Sequence, residues 1–251
     1  MGSLLLVGVG SKGTSVSAPP GPGTIVTGLI GSWDASVTAS LTLSGADILS
    51  VADQSGGGNT MTWAVAKPTY SATGFNSTKP AMLFTGGSAL KKTSFPMGTG
   101  NTLTAWVVCT MCNGTGSGSD ARILNYLAPG VTTDWNDVGT WSITRNGLSA
   151  MTILRNAGAN TGYITEYPAP HRLIFTITSG GFATLYVDGV SMATLTSGGN
   201  WTTAGTCQIG QRTDSVAFWA GPVAEAGVAT GYSDATTVAA LDLYLKTKWG
   251  L

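Results

Sequence analysis

The residues best equipped for chemistry stand in one short run, Asp134-Trp135-Asn136-Asp137. An indole offers a flat apolar face to a sugar ring, and the amide and carboxylates beside it offer hydrogen-bond partners. Oxygen ligands at this density also suit Ca2+. Trp135, Asn136 and Asp137 are therefore the candidate carbohydrate-binding residues. Asp53 and Asn59, which flank a Gly-rich turn, are a second place that could hold a cation. A simpler account covers both: Asp and Asn collect in turns because their side chains bond their own backbone.

The chemistry of hydrolysis is less well provided for. A retaining glycosidase needs two carboxyls about 5–5.5 Å apart. The chain has only two glutamates, Glu166 and Glu225, far apart in sequence. Asp134 and Asp137 are close, but three residues apart in an extended strand they face opposite sides. Convergence through a loop, or of Asp53 with a distant acid, stays open. The single histidine, His171, has no G-x-S-x-G nucleophile elbow to serve and cannot build a multi-histidine zinc site. It reads as a solvated or hydrogen-bonded histidine at a strand start. Cys109-Thr-Met-Cys112 has redox spacing but lies at a strand end, where its two side chains point to opposite faces, not at a helix start. With Cys207 the cysteines number 3, which gives no even disulfide framework. Buried free thiols are expected, with one bridge from Cys207 to either of the pair as the alternative. The Gly-x-Gly groups lack the strand–helix context of a nucleotide site. The expectation is a protein with no catalytic residues, no metal and no required cofactor, with Ca2+ the one candidate ion.

The elements that must position these residues are strands. Leu29–Trp33, Ala81–Gly86, Thr102–Met111, Arg122–Leu127, Gly139–Thr144, Ala150–Arg155, Arg172–Thr178, Phe182–Val187, Val190–Leu195, Cys207–Gly210 and Ala220–Val228 are apolar or alternating runs between turns. Asp188-Gly189 joins two of them with the strongest short hairpin signal. One helix is predicted near the C-terminus. Ser233 is its N-cap candidate, and Asp234 favours the positive end of the helix dipole. Val238, Leu241, Leu245 and Trp249 share its apolar face, and Lys246 and Lys248 lie in its last turn. Trp106, Trp141 and Trp249 read as core; Trp201 and Trp219 are undecided.

Composition agrees with an all-β sandwich. Of 251 residues 36 are Gly and only 10% are charged, with 12 basic against 12 acidic side chains. Zero net charge argues against a nucleic-acid footprint and removes one barrier to self-association. No apolar run approaches the roughly 18 residues needed to cross a bilayer. At the N-terminus Leu4, Leu5, Leu6 and Val7 form an apolar tip, followed by a linker that contains Ala18-Pro-Pro-Gly-Pro-Gly23. No basic residue precedes Leu4, and Gly8 and Gly10 interrupt the run, so it does not read as a secretory signal. Residues 1–27 are expected to be a docking arm, or alternatively a frayed terminus or first strand, and 28–251 one sandwich domain.

Within that domain Trp33-Asp34-Ala35, Asp53-Gln-Ser-Gly-Gly-Gly-Asn59, Pro80-Ala-Met-Leu-Phe-Thr-Gly86, Leu185-Tyr-Val-Asp-Gly189, Ile209-Gly210, Gly221-Pro-Val-Ala-Glu225 and Tyr244-Leu-Lys-Thr-Lys-Trp249 follow in order. This series resembles the concanavalin A-like lectin/glucanase superfamily, in its laminin-G-like branch. The resemblance implies two packed antiparallel sheets in a jelly roll with one C-terminal helix. The glucanases of that superfamily carry a Glu-x-Asp-x-x-Glu strand motif, which this chain lacks. Domains of this kind behind a short apolar start are common in bacteriophage virion proteins. The resemblance therefore implies a non-enzymatic virion subunit, in capsid decoration or a tail fibre. It would be an assembly subunit or homo-oligomer docked on other virion proteins. The alternative is a carbohydrate-binding module, virion-borne or secreted, that attaches to a cell-surface glycan; a degenerate or unrecognised glycoside hydrolase ranks third.

Overall fold

The structure, a computed structural model, describes residues 21–110, 120–131, 139–146, 150–155, 158–163, 169–196, 204–212 and 218–251. In chain order the elements are α1 (Pro22–Ile25), β1 (Leu29–Asp34), β2 (Leu41–Ser44), β3 (Asp47–Val51), β4 (Met61–Trp63), β5 (Thr69–Phe75), β6 (Lys79–Phe84), β7 (Leu90–Pro96) and β8 (Leu103–Thr110). There follow β9 (Asp120–Leu127), β10 (Trp141–Asn146), β11 (Ala150–Arg155), β12 (Gly158–Tyr163), β13 (Pro170–Ile177), β14 (Phe182–Val187), β15 (Val190–Thr196), β16 (Ala204–Ile209), β17 (Gly221–Ala229) and α2 (Ala235–Trp249).

The strand pairings are antiparallel and form two runs. The front run is β3–β4–β7–β16–β9–β10–β11–β12, with β2 beside β3. The back run is β1–β17–β8–β13–β14–β15, with β6 also on β17 and β5 on β6. A single pairing, Asp47 with Thr69, stitches β3 to β5. This is the expected antiparallel sandwich with one long C-terminal helix.

Two apolar layers hold it. Between the sheets, Trp33, Phe95, Val107, Leu124, Trp141 and Phe175 belong to one buried cluster. On the outer face of the back sheet, Trp106, Val108 and Ile174 meet Val238, Leu241, Leu245 and Trp249 of α2 in a second. Strand β8 feeds both layers and is buried along nearly its whole length. Full burial of each large apolar side chain contributes about 1.5–3 kcal/mol. The predicted helical face is thus the buried one, joined by Tyr244. Trp106, Trp141, Trp219 and Trp249 are all buried; Trp201 lies outside the described residues.

The cap of α2 differs from the expectation. Asp234, not Ser233, is the N-cap: its side chain accepts from the Thr237 N–H at 2.8 Å. Ser233 is buried one residue earlier and accepts from Thr104 Oγ1 at 2.9 Å. The Asp188-Gly189 turn is as expected, with φ of 51° and 83° at its two central positions and Val187 paired with Val190; positive φ at both matches a type I′ hairpin. Of the arm, residues 21–27 are described. Pro22–Ile25 make one helical turn, and Val26 is buried in the second cluster.

Gly227 shows why a β sandwich this rich in glycine is packed rather than loose. It pairs with Trp106 across β17 and β8. A Cβ at Gly227 would lie 2.0 Å from the Trp106 indole, and the buried indole has no room to retreat. Gly227→Ala is expected to cost about 2–3 kcal/mol by overpacking, read as a lower denaturation midpoint at unchanged m-value. A midpoint within error of the parent would contradict this packing.

Candidate functional site

Three charged side chains meet where α2 ends against the back sheet. Asp34 on β1 and Glu225 on β17 stand opposite each other in the strand register. Lys248, in the last turn of α2, reaches both carboxylates. Its ammonium donates to Asp34 Oδ2, to Glu225 Oε2 at 2.6 Å and to Tyr244 Oη at 3.0 Å. Other protein donors also reach the two carboxylates. Asp34 Oδ1 accepts from the N–H and hydroxyl of Ser36 at 2.7 and 2.6 Å. Glu225 accepts from Trp249 Nε1 at 3.0 Å and from Trp106 Nε1 at 3.3 Å.

Burial raises the Glu225 carboxyl above the usual range; Lys248 opposes this, and Asp34 adds to it. Burial by itself would lower Lys248, but Glu225 and Asp34 outweigh it and hold the ammonium above its ordinary value. A cavity of about 370 Å³ opens beside the cluster, lined also by Thr24, Ser32, Gln54 and Ser55. A perturbed acid beside a cavity is a common mark of an active site. Here each carboxylate accepts three hydrogen bonds from the protein, and the cluster ties the end of α2 to β1 and β17 as a clamp.

Two further networks are structural. Asp53 accepts from Ser32 N, Ser55 N, Ser55 Oγ and Asn59 N at 2.7–2.9 Å, and Asn59 accepts from Trp33 Nε1 at its carbonyl and donates its amide to Ile30 O. The Gly-rich turn is therefore fastened to β1, and its carboxylate is engaged by the chain, not presented as a cation ligand. His171 Nδ1 lies 2.7 Å from Asp188 Oδ2, as expected of a bonded strand-start histidine. Burial opposes ionisation of Asp188, but the bonds from His171 and the Arg172 N–H hold its carboxyl below the usual range. Arg172 also forks onto Asp242 of α2, at 2.8 and 3.3 Å. Cys109 and Cys207 are buried free thiols, and burial pushes the Cys207 thiol up; Cys112 lies outside the described residues.

The outer face of the front sheet is different. Gln208 on β16 pairs with Asn125 on β9, which pairs with Ser142 on β10. Directly paired residues of antiparallel strands point to the same side. Their neighbours along the strands, Leu124, Tyr126, Trp141, Ile143, Cys207 and Ile209, all belong to the inter-sheet core, so the row faces outward. An outward polar row is ordinarily wet. This one is buried: Asn125 and Ser142 are 0% exposed, Gln208 1%, and the adjoining Gln211 2%. Asn125 Oδ1, Ser142 Oγ, Gln208 Oε1 and Gln211 Oε1 have no hydrogen-bond partner. Thr144 and Arg122, paired with each other, extend the same buried polar face. Sequence reading missed this row. Polar residues alternating with apolar ones signal a solvated face, and nothing local reports that the face is covered.

The predicted binding residues Trp135, Asn136 and Asp137, and the docking residues Leu4, Leu5, Leu6 and Val7, lie outside the described residues. Among the described residues no group of three or more His, Cys, Asp or Glu is placed to hold a metal, and no helix is long and apolar enough to cross a membrane.

No protein-family model matches the chain, and no curated protein matches it. Solved structures do. Domain 4 of a GH43 extracellular arabinanase from Geobacillus stearothermophilus, in complex with arabinotriose, superposes with a TM-score of 0.59 at 12% identity, over 86% of this chain and 98% of that one. Trypanosoma rangeli sialidase with 2,3-difluorosialic acid gives 0.60 at 13%, over 97% of this chain and 36% of that one. A GH54 α-l-arabinofuranosidase gives 0.58 at 15%, over 79% and 50%. The chain thus spans about a third of the sialidase and half of the arabinofuranosidase. At these identities the likeness shows the fold alone, a jelly-roll-like β-sandwich.

The clamp makes a definite prediction. Lys248→Met leaves Asp34 and Glu225 facing each other without their cation, and should cost about 3 kcal/mol. The Glu225 pKa is raised in the fold, so its contribution is full below the unfolded carboxyl pKa and is lost as pH rises through the raised folded value. Removing the ammonium raises that pKa further, so the loss should be larger at pH 8 than at pH 5. Denaturant titrations at the two pH values measure it; an equal or smaller loss at pH 8 contradicts the account.

Proposed function

We propose that this chain is a carbohydrate-binding β-sandwich module that does not itself hydrolyse glycans. The observation that carries the reading is the buried polar row on β9, β10 and β16, whose side-chain oxygens, Asn125 Oδ1, Ser142 Oγ and Gln208 Oε1, lack protein partners. Buried polar atoms left unpaired cost the free protein stability, and each calls for an occupant or a role. Amides and hydroxyls held on adjacent strands about 4.8 Å apart suit the hydroxyls of a sugar. The arabinanase domain of the same fold carries arabinotriose, which supports the class of ligand by analogy only. Non-hydrolysis rests on the Asp34–Glu225 pair, whose oxygens are committed to Lys248, Ser36 and two tryptophans.

The virion reading, with an arm that docks through Leu4–Val7, remains a separate proposal on residues outside the described ones. Deleting residues 1–20 should abolish incorporation into particles; normal incorporation rejects it.

Calorimetric titration against a panel of oligosaccharides that includes arabinotriose, with and without Ca2+, tests the main reading. A dissociation constant of about 1 mM or tighter is expected, corresponding to about 4 kcal/mol, with no reducing sugar released. Asn125→Ala should weaken it at least about tenfold. A panel with no binder rejects the reading, and sugar release rejects its non-enzymatic half.

A further inference from the structure

The cavity of about 370 Å³ beside Lys248 lies between α1, β1 and the C-terminal end of α2. Its wall carries an unspent hydroxyl. Ser32 stands two residues before Asp34 on β1 and on the same face, since Trp33 between them turns into the inter-sheet core. Ser32 is only 6% exposed. Its N–H donates to Asp53 Oδ1 and its carbonyl accepts from the Gln54 N–H, both at 2.9 Å, but among the described residues its hydroxyl bonds nothing. Gln54 donates through Nε2 to Ser40 Oγ at 3.2 Å, which leaves Oε1 as the free end of that amide. A carboxylate offers about four lone-pair sites. Asp34 has filled two at Oδ1 and one at Oδ2, so Oδ2 keeps one. The Lys248 ammonium has spent its hydrogens on Asp34, Glu225 and Tyr244.

Donors remain as well, because the Ser32 and Tyr244 hydroxyls each keep a proton to give. Charge, not donor count, therefore decides what fits, and the charge here is negative. Asp34 and Glu225 line the cavity, and Asp53 stands behind its wall, bonded to Ser32 and Ser55. Among the lining residues Lys248 is the one cation. Even with Glu225 protonated, two carboxylates stand against one ammonium. The C-terminal end of α2, which closes at Gly250, adds about half a negative charge.

From this we infer that the cavity binds a small organic cation, a primary ammonium on a compact body, at a site separate from the polar row of the front sheet. The ammonium donates to Ser32 Oγ, Gln54 Oε1 and Asp34 Oδ2. Its body packs against Pro22, Leu29 and the Tyr244 ring, which line the same cavity. An anion meets the surplus carboxylates and finds Lys248 with no hydrogen left to offer.

The test uses the full chain near neutral pH and ¹⁵N-edited NMR of the indole N–H groups of Trp106 and Trp249, which donate to Glu225 beside the cavity. Cyclohexylammonium, cyclohexanol and cyclohexanecarboxylate share one body and differ in charge; sodium and potassium chloride form the inorganic arm. The ammonium is expected to shift both indole signals saturably and at least about tenfold more tightly than the alcohol, with the carboxylate weaker still. Ser32→Ala should weaken the ammonium about fivefold and leave Tm unchanged, because the hydroxyl it removes has no protein partner to lose. An alcohol or carboxylate that binds as tightly overturns the cation preference. Sodium or potassium giving the same saturable shift at equal concentration assigns the cavity to an inorganic ion and overturns the organic one. Full affinity in Ser32→Ala overturns the placement on this wall, and no shift with any probe overturns the site. None of these outcomes touches the oligosaccharide titration, which reads the front sheet.

Discussion

The hold of α2 on the back sheet depends on a charge that could not be removed without leaving two others stranded. Lys248 comes from the last turn of the helix, while Asp34 and Glu225 come from strands at opposite ends of the chain that happen to be neighbours in register. The desolvation penalty on each ion alone is several kcal/mol, so none of the three is tolerable without the others. The cluster therefore ties helix position to strand register. Sliding α2 by one residue would withdraw the ammonium, and slipping β1 by one would turn Asp34 to the opposite face. Trp106 and Trp249, which donate to the same glutamate, carry that constraint into the apolar layer beneath the helix.

With one outer face sealed by the helix, the two sheets become unequal. The back sheet buries tryptophan, valine and isoleucine against α2. The front sheet buries glutamine, asparagine, serine, threonine and arginine on its corresponding outer face. Hydrophobic packing and bonded charges such as the Lys248 cluster together explain the first. Neither explains the second, since burying polar groups is favourable only when they are bonded. A sequence shaped for stability alone would place apolar residues at such covered positions. The difference between the two faces is the physical reason the proposed carbohydrate-binding face is the front sheet and not the cavity beside Lys248, where the charged groups bond one another.

Much of this architecture was legible in the sequence, and the gaps have identifiable causes. Strands such as Ala150–Arg155 and Phe182–Val187 were predicted at their observed bounds because β-branched and aromatic residues run between clear turns. Strands β2, β4, β5, β7 and β12 were missed: β2 and β4 are short, and the others are rich in Ser, Thr, Gly, Asn or Lys. The pairings of β7 with β16 and of β4 with β7 are long-range and lie in no local window. The cap of α2 shifted from Ser233 to Asp234 because a buried hydrogen bond to Thr104, across 129 residues, claims the serine. The face of the helix was read correctly, since 3.6-residue periodicity is local.

The site was the least legible part, and for a reason of the same kind. Asn125, Ser142 and Gln208 are separated by 17 and 66 residues in sequence (125 to 142 and 142 to 208) and become a row only through the registers of β10 with β9 and β9 with β16. Each one alone is an ordinary outward polar residue on a strand. Three aligned and covered are a free-energy cost that the two apolar layers must offset. A fold whose stability rests on those layers and on the Lys248 clamp can sustain that cost in a rigid sheet, where the amides are held in fixed orientation. Residues such as Trp135, Asn136 and Asp137 attract attention by composition, but a flat array on a sheet needs no distinctive motif. It needs register, and register is what the clamp and the inter-sheet core maintain.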